Sequence, residues 1–165
     1  MVIIKLKTLV ICALLVSLNL VLDTMTIQVN ATLHISFKFL TIALAGAFYG
    51  WQIGAIVGGA TDIIGFFAYP KGPFMWGFTI SAILTGMIYG LILHKKRSFV
   101  RCALAQITVC VVINIVLNTI WLIMLYGNTP AEIITLQRII KNIILLPLEI
   151  IMLYGVLQVC KRVKI

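Results

Sequence analysis

The stretch His34–Gly90, HISFKFLTIALAGAFYGWQIGAIVGGATDIIGFFAYPKGPFMWGFTISAILTGMIYG, decides how this chain folds. It contains three apolar runs, ten of the chain's twelve glycines and a single acidic residue, Asp62. Pro70-Lys71-Gly72-Pro73 separates the last two runs, because two prolines cannot continue a helix and the glycine permits a sharp turn. A soluble domain has no reason to carry so little charge over so long a piece. Most of the polar residues sit in the breaks or near the ends of apolar runs. That is the pattern of a membrane protein that binds something small near one surface.

Composition extends this reading to the whole chain. Of its 165 residues, 62% are hydrophobic and 10% charged, with a mean hydropathy of +1.17. Soluble domains run near one half and one quarter. A spanning helix needs about 20 mainly apolar residues, so five or six spans fit in one membrane domain covering residues 1–165. No soluble catalytic domain fits in addition. Lys5 and Lys7 ahead of an apolar run resemble a signal peptide. An A-x-A-like cleavage site is missing, however, and other spans follow at once, so Met1–Leu22 reads as a retained first helix. Cys12, Cys102, Cys110 and Cys160 form no C-x-x-C pair and read as small buried hydrophobes. Neither a disulfide framework nor a metal site is indicated.

The net charge of +9 is a topology signal rather than a nucleic-acid footprint. Nine of the thirteen basic residues fall at three junctions: Lys5 and Lys7; Lys95, Lys96, Arg97 and Arg101; Lys161, Arg162 and Lys164. The positive-inside rule places all three in the cytoplasm. Six spans meet that requirement, over about 8–22, 35–49, 53–69, 75–93, 102–126 and 133–159, with a kink expected at Pro147. Five spans would leave one basic cluster outside. The expected fold is therefore an all-α membrane protein of six transmembrane helices with both termini cytoplasmic. Gly50-Trp51-Gln52 makes a tight inner turn, and Asp23–His34, Pro70–Pro73 and Gly127–Glu132 form outer loops. Small residues recur at four-residue spacing, as in Gly46, Gly50, Gly54 and Gly58, Ala55 with Gly59, and Gly86 with Gly90. This spacing lets helix backbones approach closely in lipid. Ala13 and Ser17 repeat the pattern on the first span, where a partner helix is the alternative contact.

Polar residues within a bilayer are costly and usually face the bundle interior or a cavity. Asn114, Asn118 and Trp121 are spaced i, i+4, i+7 on span 5 and share one face of an α-helix. Arg138, Lys141 and Asn142 share a face of span 6, its antiparallel neighbour. The two sets converge below the outer surface as an aromatic plate, amides and cations, a set suited to a flat heteroaromatic ring bearing a carboxylate. The alternative leaves Trp121 in an interfacial belt and lets Arg138 snorkel. Asp62 lies near the midplane, about 15 Å along span 3. It either lines the site or rests on a structural partner such as Lys38. Asp23 and His34 flank the first outer loop, where either can line the site, and Glu149 faces the inner half of span 6. No phosphate loop, H-E-x-x-H or G-x-S-x-G is present, so catalytic residues and cofactors are not expected.

The runs 34–67, 69–93, NIVLNTIWLIMLYG (114–127) and RIIKNIILLPLEIIMLY (138–154) together resemble the substrate-binding S components of energy-coupling factor (ECF) vitamin transporters. The similarity covers nearly the whole chain. The blocks Gly77–Gly90 and Arg138–Pro147 are fairly specific to the folate branch. The resemblance implies a multi-pass protein of a prokaryotic plasma membrane that captures a vitamin on its outer face. Folate comes first, with a pyridoxine- or hydroxymethylpyrimidine-like vitamin as the alternative; a small channel is a more remote one. The partners implied are membrane lipid, a transmembrane coupling protein and two cytoplasmic ATPases, with no nucleic acid. Loops after spans 1, 3 and 5 would close the site, with Tyr69, Pro70, Gly72, Pro73 and Phe74 forming a gate. Ala13 and Ser17 would meet the coupling protein. The chain departs from the family's usual pattern at Asp23, where arginine is common, and at Lys38, where glycine is.

Overall fold

The computed structural model describes residues 6–25, 27–30, 33–70, 73–95, 98–125 and 131–162, with backbone alone at 27–30, 33–35, 131–134 and 137. Six helices account for most of them: α1 (Leu6–Thr24), α2 (Phe39–Tyr49), α3 (Trp51–Ala68), α4 (Trp76–Leu93), α5 (Phe99–Leu125) and α6 (Ala131–Arg162). The six expected spans are all present as helices. α6 runs unbroken through Pro147.

One element differs from expectation. The segment after α1 forms a small antiparallel hairpin, β1 (Ile27–Asn30) and β2 (Leu33–Ile35), where the sequence suggests only a loop. Ile27 pairs with Ile35 and Gln28 with His34, and the register shifts between Gln28 and Asn30. Within these few residues no long alternation of apolar and polar residues announces a strand.

Glycine sets the packing at the centre. The α3–α4 interface is the most extensive in the bundle. There, a Cβ on Gly54 would meet the Gly86 carbonyl oxygen, and one on Gly86 would meet the Gly54 backbone. Gly46 abuts the Gly90 backbone in the same way, and Gly58 abuts the Ala82 carbonyl. With no side chain between them, these backbones come closer than any larger residue allows, as the small-residue spacing predicts. Gly50 is the whole connection between α2 and α3. Its φ of 86° lies in the left-handed region that glycine adopts without strain.

Five helices are long and apolar enough to cross a membrane; α2, with 11 residues, is not. At 1.5 Å per residue it covers about 16 Å, roughly half the hydrocarbon thickness. The chain from the hairpin therefore descends through Ser36, Phe37 and Lys38 before α2 begins, and space opens above its first turn. The neighbouring contacts mark this end of the bundle. Gly65, late in α3, lies near Asp23, late in α1, and Gly77, at the start of α4, lies against Trp121, late in α5. At the opposite end, Gly50 sits beside the His94 ring and Phe99 packs edge-on against Tyr154. The apolar core, including Tyr89, Leu93, Cys102, Ala105, Leu153 and Leu157, fills that second half.

Candidate functional site

A cavity of about 270 Å³ occupies the space that the short α2 leaves, and all six helices contribute to its wall. The wall carries Lys38, Arg138 and Lys141 together with Asp62 and Glu149. A cluster of ionisable groups at membrane depth marks a binding site or a solute path rather than packing. Apolar surfaces for a ring come from Phe39, Ile42, Phe78, Val109 and Ile113.

On α5 the cavity face is made by an irregularity. Val109–Leu117 is wound as a π-helix, whose i→i+5 hydrogen bonds widen the turn. Residues four or five apart then align, so Val109, Ile113, Asn114 and Asn118 all line the cavity. Asn118 Nδ2 donates to Asn114 Oδ1 at a long 3.5 Å, and Asn118 Oδ1 is buried with no hydrogen-bond partner among the described residues.

On α6, Arg138, Lys141 and Asn142 face the same cavity. Asn142 is 5% exposed and donates through Nδ2 to the Arg138 carbonyl at 2.8 Å. Arg138 does not snorkel. Its Nε and Nη1 are buried and meet no hydrogen-bond partner among the described residues. A guanidinium is always charged, so buried N–H groups without acceptors call for an anion or another acceptor.

The other expected residues separate into two groups. Lys38 and Asp62 line the cavity. Asp62 accepts a hydrogen bond from the Thr79 hydroxyl at 2.7 Å, while Lys38 is paired elsewhere. Its Nζ lies 3.0 Å from Asp23 Oδ1, and Asp23 is nearly fully buried behind it. Asn19 completes this polar seam, donating to the Lys38 carbonyl at 3.0 Å and to the Thr41 hydroxyl. Asp23 and Trp121 are not on the cavity wall. Past the π segment, Trp121 turns toward α4, where its ring covers Gly77 and its Nε1 donates to Ser81 Oγ at 3.1 Å. Ser81 does line the cavity, so Trp121 supports the wall from behind. The His34 side chain, Lys71 and Gly72 lie outside the described residues.

Tyr69, Pro70 and Pro73 are exposed, and Phe74 packs between Phe66 and Trp76 with ring centroids 4.9 and 5.0 Å away. Ala13 and Ser17 are exposed on an outward apolar face of α1 with Leu14, Leu18 and Val21. Asn19, Ser81, Thr85 and Gln106, which no sequence motif singles out, also line the cavity. Gln106 was legible by the same rule that selected Asn114, an amide inside an apolar run. The hydroxyls of α4 carry no such signal.

A charged cavity walled by six membrane helices, lined by amides and by a guanidinium whose buried nitrogens meet no acceptor among the described residues, defines a membrane protein that captures a small polar solute. Residues 7–157 match the family of the ECF transporter substrate-specific component, and the chain belongs to that family, as a multi-pass protein of the plasma membrane. It is 30% identical over 162 residues to the folate transporter FolT of Clostridium novyi (strain NT), covering 98% of this chain and 94% of that one. It is 34% identical over 155 residues to the folate transporter FolT of Leuconostoc mesenteroides subsp. mesenteroides, covering 90% and 83%. Among solved structures, the crystal structure of FolT bound with folic acid superposes with a TM-score of 0.83 at 32% identity, covering 90% of each chain.

Proposed function

We propose that this chain is the folate-capturing subunit of an ECF transporter and that the cavity around Arg138 is its folate site. The observation that carries the reading is the buried Arg138 guanidinium, two of whose nitrogens meet no acceptor among the described residues, set among Asn114, Asn118 and Asn142. That arrangement suits the carboxylates and amide of folate, and the fold is shared with a FolT bound to folic acid. The Asp23–Lys38 pair supports it as well. The Asp23 carboxylate is neutralised by Lys38, so it does not repel an anionic ligand.

In this reading the whole chain acts as one substrate-binding domain with both termini cytoplasmic, as its basic clusters direct. The cavity opens outward, and Tyr69, Pro70, Gly72, Pro73 and Phe74 close over bound folate. Delivery depends on a coupling protein docked at Ala13 and Ser17 and on two ATPases, which hydrolyse the ATP; the subunit itself is non-catalytic. Calorimetry with the purified full chain tests the central claim. Saturable 1:1 binding of folate is expected. Heat from pyridoxine or a hydroxymethylpyrimidine with none from folate would assign the site to another vitamin.

A further inference from the structure

The Gly50 half of the cavity carries a second polar chain. The hydroxyl of Tyr89, fully buried on α4, donates to Gln106 Oε1 at 2.6 Å, and Gln106 Nε2 donates to Glu149 Oε2 at 2.7 Å. Tyr89 and Gln106 are buried, at 0% and 1% exposed. An ionised carboxylate only accepts, so Glu149 takes the NH₂ edge of Gln106 and leaves the amide oxygen to accept from Tyr89. The carboxylate is thereby oriented by a hydrogen-bonded chain that runs from α4 through α5 to α6.

Gln106 and Glu149 both line the cavity, while Tyr89 stands behind them. A carboxylate accepts at two oxygens with several lone-pair sites, and one hydrogen bond from Gln106 leaves acceptor capacity. Glu149 follows Arg138 by eleven residues on the same helix, a rise of about 16 Å. The cavity therefore has a guanidinium toward one end and a fixed carboxylate toward the other. Such a polarity selects an elongated solute with an acidic end and a donor-rich end.

We propose that Glu149, oriented by Gln106 and Tyr89, is the specificity-determining residue for the ring of the ligand. It accepts paired N–H hydrogen bonds from the guanidine-like edge of a 2-amino-4-oxo fused heterocycle, whose acid tail lies toward Arg138. The proposal rests on the folate reading, since the pterin ring of folate carries that edge as a 2-amino group beside a ring N–H. Paired N–H donors on one carboxylate form the strong, geometrically selective kind of hydrogen bond.

The test compares folate with its 2-desamino-2-methyl analogue, binding each to the purified full chain by calorimetry. The unaltered protein should bind the analogue about 10- to 100-fold more weakly, because a hydrogen bond to a charged group is lost. Glu149→Gln should reduce that ratio severalfold, weakening folate, which offers this residue two N–H groups, more than the analogue, which offers it only the ring N–H. Glu149→Asp, which keeps the charge and withdraws the carboxylate by one methylene, should also reduce the ratio and covers the case in which the glutamine variant does not fold. A ratio that stays at its original value in the folded variants makes Glu149 a structural partner of Gln106 and overturns the proposal. If the unaltered protein binds no folate at all, the folate reading itself falls, and the proposal with it.

Discussion

Lys38 Nζ and Asp23 Oδ1 lie 3.0 Å apart, joining the last turn of α1 to the residue that precedes α2. The carboxylate is buried and the lysine side chain keeps 34% of its surface, on the side that lines the cavity. This pair and the Asn19 hydrogen bonds give α1 a polar attachment to a bundle from which most of its surface is exposed.

Removing one partner should therefore cost more than removing both. Lys38→Met leaves the Asp23 carboxylate buried without its cation, and a destabilisation of about 1–3 kcal/mol is expected. This is below the cost of breaking a fully buried pair, because Lys38 is partly exposed. The double variant Asp23→Asn with Lys38→Met should recover much of the loss. Thermal melts of the four proteins in detergent give the cycle; strictly additive losses would mean that the pair is not coupled.

Arg138 provides the second prediction. Arg138→Ala should weaken folate binding about 10- to 100-fold and Arg138→Lys less, since lysine keeps the charge but loses the planar fork. Calorimetry on both variants decides. Equal losses would show that charge alone matters, and unchanged affinity would move the acid tail elsewhere.

Gly77 and Trp121 provide the third. A Cβ on Gly77 would come within 2.7 Å of Trp121 Cγ, so Gly77→Ala must displace the ring and break its hydrogen bond to Ser81. Overpacking of this kind costs about 1–3 kcal/mol. The melting temperature should fall and folate affinity with it, because Ser81 is part of the cavity wall. A loss of stability with affinity intact would separate the Trp121 support from the site.

Closure of the gate is a matter of distance. Tyr69 and Met124 are exposed at the C-terminal ends of α3 and α5. Spin labels at these two positions should approach one another when folate is added, as a lid orders over its ligand. Identical distance distributions with and without saturating folate would remove the gate.

Docking is tested on α1. Ala13 and Ser17 lie on its exposed face, and small side chains there permit close helix approach in lipid. Ala13→Trp should abolish ATP-driven uptake by the assembled transporter while the isolated subunit still binds folate. Persistent uptake would place the coupling contact on another face.

Much of this molecule can be read from its residues alone. Six apolar runs, basic clusters at three junctions and glycines at four-residue spacing dictate six closely packed membrane helices, because lipid leaves the backbone few other ways to satisfy its hydrogen bonds. Arg138, Asn142, Asn114 and Asn118 could be placed together because helical spacing assigns each a face and a short connection makes α5 and α6 neighbours. What the tertiary structure decided were matters of register and partnership between distant segments. The hairpin and the late start of α2 lower Lys38 to cavity depth, where it meets Asp23 rather than Asp62. The π turns of Val109–Leu117 bring the two asparagines onto the cavity wall and send Trp121 to Ser81. Gln106 links Tyr89, 17 residues before it, to Glu149, 43 residues after it. Spacing along one helix cannot supply such pairings, since each depends on how far neighbouring backbones approach and on which buried polar groups find one another there.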